Sequence, residues 1–216
     1  AKWLILNGYA CYVDGLVDRT IALAKENNCK IILDLASFEV VRVYKEALEK
    51  VLKSGKVDAV ICNEDEAREM ITVEAKAGVD HDTLALHTLH GLAAMCDLAV
   101  ITLGDRGCIL KSKDDPETIA VKAVTGIKVV DTTGAGDSFT AGFLYGLIRG
   151  LSLHRAAEIA NLAGAAVCQS VGSEVTADLW SWFHARLHGE KAAAVVRDSA
   201  EAVQRELLEC YELIER

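Results

Sequence analysis

The sequence has little of several features that mark particular classes of protein. It contains one proline, Pro116, and seven cysteines, an odd number with no Cys-x-x-Cys pair. Cysteines scattered through apolar runs are typical of reduced thiols, so an intracellular and by default cytoplasmic location is expected, with organellar targeting left open. No apolar run is long enough to span a membrane, and the first residues lack the charged and then apolar pattern of a secretory signal.

Basic charge is also scarce. The 23 Lys and Arg residues face 32 Asp and Glu residues, giving a formal net charge of -9. This balance, with no run of Lys or Arg, disfavours nucleic acid as a partner. There is no Gly-x-x-x-x-Gly-Lys-Ser/Thr motif, and the Gly134-Ala-Gly136 stretch lacks the third glycine and early position of a dinucleotide fingerprint. P-loop enzymes and dehydrogenases are therefore poor matches.

What the sequence does have is enough apolar material for a sizeable core, 51% over 216 residues, with no repeat or linker. We predict one domain over 1–216, closed by a charged amphipathic helix from about 189 to 216. The chain begins at Ala1 without Met and enters an apolar run at Trp3. An N-terminal truncation is the expectation, and processing of a short leader is the alternative.

Short aliphatic runs alternate with longer helical patterns, which predicts βαβ units and an α/β fold with a mostly parallel sheet. The predicted strands are Trp3–Leu6, Lys30–Leu35, Val57–Cys62, Leu98–Leu103, Gly107–Lys111, Thr118–Val121 and Ile127–Val130, the last three paired as in hairpins. The predicted helices are Asp14–Asn28, Phe38–Lys53, Asp82–Cys96, Ala135–Arg149, Ser152–Ser170, Ala177–Leu187 and Ala192–Glu215.

The strongest local pattern is Asp131-Thr-Thr-Gly-Ala-Gly-Asp137, which follows an apolar run and leads into an amphipathic helical stretch. A glycine turn at a helix start presents backbone N–H groups and the positive end of the helix dipole, a good site for phosphate. A carboxylate there repels phosphate, so Asp137 either accepts a proton from an attacking hydroxyl or simply caps the helix. Position alone leaves both roles open.

Other polar residues fall at predicted strand ends. Asn63 and Glu66 stand where caps of a following helix are common, and Asp34 is either a ligand-side carboxylate or a cap, for which Ser37 is better placed. Thr102-Leu-Gly-Asp-Arg-Gly107 ends a buried-strand pattern in a turn with two glycines. Asn161 occupies a polar position in a predicted helix.

The segment from Asp131 to Asp137 resembles the C-terminal signature of the ribokinase-like (PfkB) carbohydrate kinase family at every position. The resemblance extends from Trp3 to about Asp178, with Asn63-Glu-Asp-Glu66 similar to the family's Asn-x-x-Glu element. It implies a three-layer α/β/α ribokinase-like fold, with the N-terminal part and lid missing from this chain. It also implies a kinase that transfers the γ-phosphate of ATP to a hydroxymethyl group of a sugar or nucleoside.

The resemblance assigns roles residue by residue. Asp137 would be the catalytic base, and the amides of Gly134, Ala135 and Gly136 would form the anion hole. The ATP contacts would come from Thr102, Gly104, Gly107 and Asn161. Glu66, with Asn63 and Asp34, would hold the Mg²⁺ region, usually through water.

Two implications of the resemblance stay open. Asp131 matches a K⁺ site of many members, but Val171-Gly-Ser-Glu-Val175 departs from the family's usual loop, so Asp131 is alternatively a residue that satisfies turn amides. The missing acceptor motif and lid also leave room for a catalytically incompetent nucleotide-binding or scaffold protein of the same fold. We expect this chain alone to be nearly inactive, and a homodimer is compatible with the sequence.

Overall fold

The computed structural model describes residues 1–70 and 80–188 of the chain. It consists of two compact units, Ala1–Lys122 and Ala123–Arg216. The sequence prediction of one kinase domain over the whole length stays a prediction. Its closing helix, from about 189, lies outside the described residues.

The first unit is built on a six-stranded mixed sheet in the order β1-β2-β3-β4-β5-β6. Strands β1 to β4 run parallel, and β5 and β6 continue the sheet antiparallel. The bounds are β1 (Trp3–Asn7), β2 (Lys30–Asp34), β3 (Ala59–Asn63), β4 (Leu98–Thr102), β5 (Cys108–Ser112) and β6 (Ile119–Val121). This confirms the predicted α/β class, the mostly parallel sheet and the hairpin pairing of its last strands.

In the described part of the chain, the segments between the parallel strands contain the helices α1 (Leu16–Glu26), α2 (Phe38–Lys53), α3 (Glu64–Glu69) and α4 (His81–Ala93). Short 3-10 turns span Gly8–Tyr12 and Gly104–Arg106. The central strands are apolar almost throughout, and Ile31, Ile32 and Leu33 are essentially inaccessible to solvent. Strands that are buried on both faces are apolar at nearly every position, because helices cover a parallel sheet on each side.

The parallel register brings the ends of these strands to one edge of the sheet. Asn7 pairs with Asp34, and Asn63 pairs with Thr102. The carboxyl ends of parallel strands are where open α/β sheets place their ligands. Three residues predicted to belong to the site therefore lie along this edge.

The second unit begins with a segment, 123–134, in which no helix or strand is assigned, and continues with α5 (Ala135–Ile148), α6 (Leu153–Val167) and α7 (Ala177–His188). The predicted strand Ile127–Val130 is wrong, since no strand is assigned there. Val129 and Val130 are half exposed, and the Val130 amide donates to the Cys168 carbonyl at the end of α6, 2.8 Å away. The hydrogen-bond partner of this segment is thus a helix end rather than a strand.

Helices α5 and α6 approach each other through glycine. A Cβ added to Gly146 would lie 2.5 Å from the Cβ of Ala156 and 2.7 Å from its Cα, and one on Gly142 would lie 3.0 Å from Ala160. Contacts this short leave no room for a methyl group. This close approach packs the middle and the C-terminal part of α5 against α6.

We expect Gly146→Ala to lower the free energy of unfolding by about 1–3 kcal/mol, because overpacking forces the two backbones apart. A matched control is Gly91→Ala in α4, where an added Cβ meets nothing within 4 Å. That control should stabilise the protein by roughly 0.5–1 kcal/mol through helix propensity. Urea unfolding followed by circular dichroism measures both, and equal effects of the two substitutions would contradict the close packing.

Cysteine and membrane expectations can be compared with the structure. Cys11, Cys29, Cys62, Cys96, Cys108 and Cys168 are free thiols, and all but Cys11 are buried. Within residues 1–70 and 80–188, no helix combines the length and apolar character needed to cross a membrane.

Candidate active site

The turn before α5 has a conformation that only glycine adopts easily. Gly134 is the N-cap of α5 with φ +76°, in the left-handed region. A Cβ at this position would also lie 2.6 Å from the Cβ of Ser173. Both the dihedral angle and the neighbouring loop therefore require glycine at 134.

Gly136 differs from Gly134, because a Cβ built on it meets nothing within 4 Å. The space beside its backbone is open, and the N–H groups of a first helical turn have no acceptor within the helix. Asp137 follows directly and is exposed in that same turn. An anionic ligand can thus reach the N-terminus of α5 beside the exposed carboxylate of Asp137.

One predicted donor of the anion hole has a partner already. The Ala135 amide donates to the Thr132 carbonyl at 3.1 Å and closes the turn. Its contribution to an anion would be shared with that bond. The Gly136 amide is therefore better placed than the Ala135 amide to donate to an anion.

Asp131 joins two loops of the second unit. One oxygen, Oδ1, accepts from the Thr133 amide at 3.0 Å and from its hydroxyl at 2.8 Å. The other, Oδ2, accepts from the Gly172 amide at 2.9 Å. These bonds, that from Gly172 first, lower the pKa of Asp131 below its ordinary value. The interpretation of Asp131 as a residue that satisfies turn amides is thereby supported.

The predicted adenine contact, Asn161, lies half-buried on α6. The same helix carries Gly164, where an added Cβ would lie 3.2 Å from the Ala135 carbonyl. Helix α6 thus packs directly against the beginning of α5. Asn161 and the signature turn belong to one rigid helix pair.

In the first unit, Asn63 and Glu66 form a reciprocal cap at the start of α3. The Asn63 side chain accepts from the Glu66 amide at 2.9 Å, while Glu66 Oε2 accepts from the Asn63 amide at 2.9 Å. The other oxygen, Oε1, accepts from Asn63 Nδ2 at 2.6 Å. The capping role considered from the sequence is therefore present, and it orients the Glu66 carboxyl group.

Glu66 is nevertheless an unusual cap, because only 3% of it is exposed. Burial, opposed by the hydrogen bond from the Asn63 backbone and assisted by the charge of Asp34, raises the pKa of Glu66 from 4.5 to about 7. Two carboxylates near each other at a sheet edge favour a cation between or beside them. Hard oxygen donors of this kind suit Mg²⁺, with water or phosphate completing its shell.

Asp34 itself is not the cap of α2. Its Oδ1 accepts from the Ala36 amide at 3.0 Å, whereas Ser37 caps α2 by accepting from the Val40 amide at 3.2 Å. Ala36 has φ +70°, a strained value for a residue with a side chain. The turn holds Asp34 at the strand end and leaves capping to Ser37, as the sequence suggested.

Glu66→Gln tests the raised pKa through stability. Folded Glu66 keeps its proton up to about pH 7, whereas the unfolded chain releases it near 4.5, so this stabilisation is complete below pH 4.5 and is lost as the pH rises to 7. Glutamine keeps one acceptor oxygen for the Asn63 backbone amide, loses the second acceptor that now meets Asn63 Nδ2, and does not titrate. Relative to wild type, the variant should gain up to about 3 kcal/mol of unfolding free energy between pH 5 and 8.

The measurement is urea unfolding at several pH values in a buffer with a chelator. Glu39→Gln, in the exposed first turn of α2, is the control and should follow the wild-type pH dependence. Parallel pH curves for wild type and Glu66→Gln would show that Glu66 titrates as an ordinary carboxyl group.

The loop after β4 has the two predicted glycines in positive-φ conformations, Gly104 at +61° and Gly107 at +95°. The Leu103 amide donates to the Gly107 carbonyl at 2.8 Å and closes the loop. Arg106 donates to Glu64 at 2.6 Å and also to Asp82, which ties the loop to the starts of α3 and α4. Thr102 is half-buried at the strand end.

A preassembled metal site is not apparent among the residues the structure describes. No group of three or more His, Cys, Asp or Glu side chains there lies close enough to hold an ion.

The predicted site residues thus form a group in each unit. The first unit brings together Asp34, Asn63, Glu66, Thr102, Gly104 and Gly107 at the carboxyl edge of its sheet. The second brings together Asp131, Gly134, Ala135, Gly136, Asp137 and Asn161 at the start of α5 and along α6. Sequence reasoning identified the loop Val171–Val175 beside Asp131 but not the contacts of Gly172 and Ser173 within it. It missed the role of Arg106, because nothing in the local pattern marks its carboxylate partners far away in sequence.

Comparison with known proteins gives a consistent family. Residues 4–179 match the pfkB family of carbohydrate kinases. The chain is 30% identical over 151 residues to an adenosine kinase of Saccharomyces cerevisiae, a match that covers 69% of this chain and 44% of that protein.

Two solved structures show the same fold. A probable sugar kinase of Rhizobium etli superposes with a TM-score of 0.75 at 28% identity, covering 88% of this chain and 55% of the other. An adenosine kinase of Sinorhizobium meliloti gives a TM-score of 0.70 at 30% identity, covering 80% and 50%. The chain spans about half the length of these relatives.

Proposed function

The chain belongs to the pfkB family of carbohydrate kinases, and from that membership we propose that it provides the phosphoryl-transfer site of an ATP-dependent kinase. The acceptor is a hydroxymethyl group of a sugar or nucleoside. One observation carries the proposal: the open space beside Gly136 at a helix N-terminus, with the exposed carboxylate of Asp137 next to it. Phosphate and an attacking hydroxyl need these two features side by side.

In this mechanism Asp137 accepts the proton of the acceptor hydroxyl as its oxygen attacks the γ-phosphorus in line, and ADP leaves. The amides of Gly134 and Gly136, and more weakly Ala135, donate to oxygens of the transferring group. Little covalent help is required, because phosphoryl transfer depends mainly on positioning and charge stabilisation.

We assign the nucleotide contacts to Thr102, Gly104 and Gly107 of the first unit and to Asn161 of the second. Both glycines have positive φ angles that residues with a side chain rarely adopt, and the Gly107 amide donates to the Gly104 carbonyl at 3.1 Å within the loop. Arg106 holds this loop through its two carboxylate partners. ATP as the phosphoryl donor is supported by membership in the pfkB family.

The buried Glu66, with Asp34 and Asn63 beside it, would hold Mg²⁺ through water. When bound, the ion neutralises charge on the phosphates. The pKa of Glu66, raised to about 7 chiefly by burial and also by the charge of Asp34, would be lowered again by a bound cation, which favours the ionised form. Glu66 accepts two bonds from Asn63, which fixes the direction in which its carboxylate can meet a hydrated ion.

For Asp131 we propose a positioning role rather than a dedicated K⁺ site. Both of its oxygens accept protein hydrogen bonds, from Thr133 and from Gly172. The loop held in this way includes Ser173, which packs against Gly134. A K⁺ requirement would appear as a dependence of turnover on K⁺ over Na⁺, and we expect this dependence to be weak.

Two measurements test the proposal. Binding of ATP with Mg²⁺ is measured by calorimetry on the chain 1–216, and turnover is measured on the natural polypeptide with ribose, fructose and adenosine. Binding together with transfer to one of these acceptors is the expected result. Binding without transfer to any primary alcohol would favour a nucleotide-binding or scaffold protein, and absence of binding at millimolar ATP would contradict the assignment.

A further inference from the structure

Arg106 lies in the loop after β4 and joins the first turns of two helices. Its Nη2 donates to Glu64 Oε2 at 2.6 Å, and its Nη1 donates to Asp82. Glu64 is the first residue of α3, and Asp82 lies in the first turn of α4. One guanidinium group therefore connects three segments that are separate in the sequence.

The bond to Glu64 is more than an exposed ion pair. The Glu64 side chain is 21% exposed, and its second oxygen, Oε1, is inaccessible to solvent and lies 3.4 Å from His81 Nδ1. Ion pairs on the open surface contribute little, but removing one partner of a buried pair leaves a charge that water cannot solvate freely. Without Arg106, the Glu64 carboxylate is expected to turn toward water and to release the loop from α3.

The same two segments are also joined by the backbone. Asn63 pairs with Thr102 where β3 and β4 end side by side. Beyond that pair, the Arg106 amide donates to the Leu103 carbonyl at 3.2 Å and turns the chain back. The loop after β4 and the start of α3 thus form a closed ring, joined at one point by the strand pairing and at the other by the bond from Arg106 to Glu64.

The two sides of this ring carry different parts of the proposed site. Asn63 and Glu66 belong to the Mg²⁺ group, and Gly104 and Gly107 belong to the nucleotide loop. Because Mg²⁺ is bound together with phosphate oxygens, its protein ligands and the nucleotide loop must keep a fixed distance. The strand pairing fixes the strand ends but not the loop beyond them, so the bond from Arg106 supplies the second point of attachment.

We propose that Arg106 is a positioning residue that couples Mg²⁺ binding to ATP binding, by holding the nucleotide loop against the start of α3 through Glu64. This coupling rests on the proposed function, since it requires Mg²⁺ and ATP at the two sides of the ring. Two nitrogens of Arg106 already donate to carboxylates, so its contribution is geometric rather than a contact with ATP. With the loop and α3 fixed relative to each other, a bound ion raises the affinity for the phosphates.

Calorimetry on the full chain measures the coupling as the ratio of the ATP dissociation constant in a chelator to that in saturating Mg²⁺. Arg106→Gln should reduce this ratio by about five- to tenfold, within the usual range of coupling between two ligands. ATP affinity in the chelator should change by less than about twofold, because the coupling acts only when the ion is bound. Arg42→Gln, which removes an exposed ion pair with Glu69 in the same unit, is the matched control and should leave the ratio at its wild-type value.

Glu64→Gln tests the same contact from its other side. A neutral amide holds Arg106 more weakly than a carboxylate does, so this variant should also lower the ratio. The double substitution Arg106→Gln with Glu64→Gln should lower the ratio no further than Arg106→Gln alone. Losses that add up would show that the two residues act separately and would overturn the proposal.

The alternative role for Arg106 is direct attraction of the phosphates by its charge. Free ATP carries more negative charge than its Mg²⁺ complex, so direct attraction would make Arg106→Gln weaken binding most in the chelator. That result would overturn the proposal, as would an unchanged ratio in Arg106→Gln, and both would leave the proposed function standing. Absence of ATP binding by the wild-type chain would instead contradict the proposed function, and the coupling with it.

Discussion

Asp137→Asn is expected to lower kcat by about 10²–10⁴ in the natural polypeptide, the range for a lost general base. Asparagine has nearly the shape of aspartate but cannot take the proton of the acceptor hydroxyl. ATP affinity should stay within a few-fold of wild type, or improve, because a negative charge beside the phosphates is removed.

A control for this prediction is available in the same unit. Asp178 also lies in a first helical turn, that of α7. If Asp137 served only as a helix-terminal carboxylate, Asp137→Asn and Asp178→Asn would have similar and small effects, since a single charge at a helix start contributes typically 0.3–1 kcal/mol. Loss of ATP binding with retained turnover would likewise assign Asp137 to structure.

Gly136→Ala should reduce turnover by about 10²–10³ without destabilising the fold, the cost expected when a donor to the developing charge is displaced. The structure gives the reason, because an added Cβ at 136 meets nothing within 4 Å. The methyl group therefore obstructs only a ligand. Alanine in the first turn of α5 should leave the thermal midpoint unchanged or slightly higher.

Gly134→Ala is the contrasting variant for that experiment. It combines φ +76° with a contact of 2.6 Å to Ser173, so it should lower both stability and turnover. The two substitutions would then have different effects on the thermal midpoint and similar effects on turnover. If Gly136→Ala retained wild-type turnover, the space beside Gly136 would not be the phosphate site.

The sequence predicted the parallel part of the fold well, because local periodicity and tertiary burial agree there. Helix α2 was predicted at Phe38–Lys53 and is observed at those residues, with Ser37 as its cap. Strands β2, β3 and β4 were predicted within two residues at each end. Apolar runs bounded by polar residues leave little alternative when both faces of a sheet are covered.

The error at Ile127–Val130 has a physical cause. The β-branched residues of this segment predict a strand. Whether a strand forms also depends on a neighbouring edge, and the Cys168 carbonyl occupies that place for Val130. The composition of the segment does not show which neighbouring group its backbone amides will bond.

In the candidate site, too, some features could be predicted from the sequence and others depend on the fold. The spacing of Asn63 and Glu66 predicted a cap, which is present, but the burial that sets the pKa of Glu66 near 7 comes from the surrounding fold. For Asp131 the sequence left two roles open, and the decisive partner, Gly172, is 41 residues away. A hydrogen-bond partner so far away in the sequence can be identified only from the packed structure.

The central claim is that the turn from Asp131 to Asp137 receives the phosphates of ATP. Its most direct test is amide nuclear magnetic resonance of the 216-residue chain titrated with Mg²⁺ and a non-hydrolysable ATP analogue. We expect the largest chemical shift changes at the amides of Gly134, Gly136 and Asp137, with further changes at Gly104 and Gly107. Saturable binding that leaves the amides of residues 131–137 unmoved would contradict it.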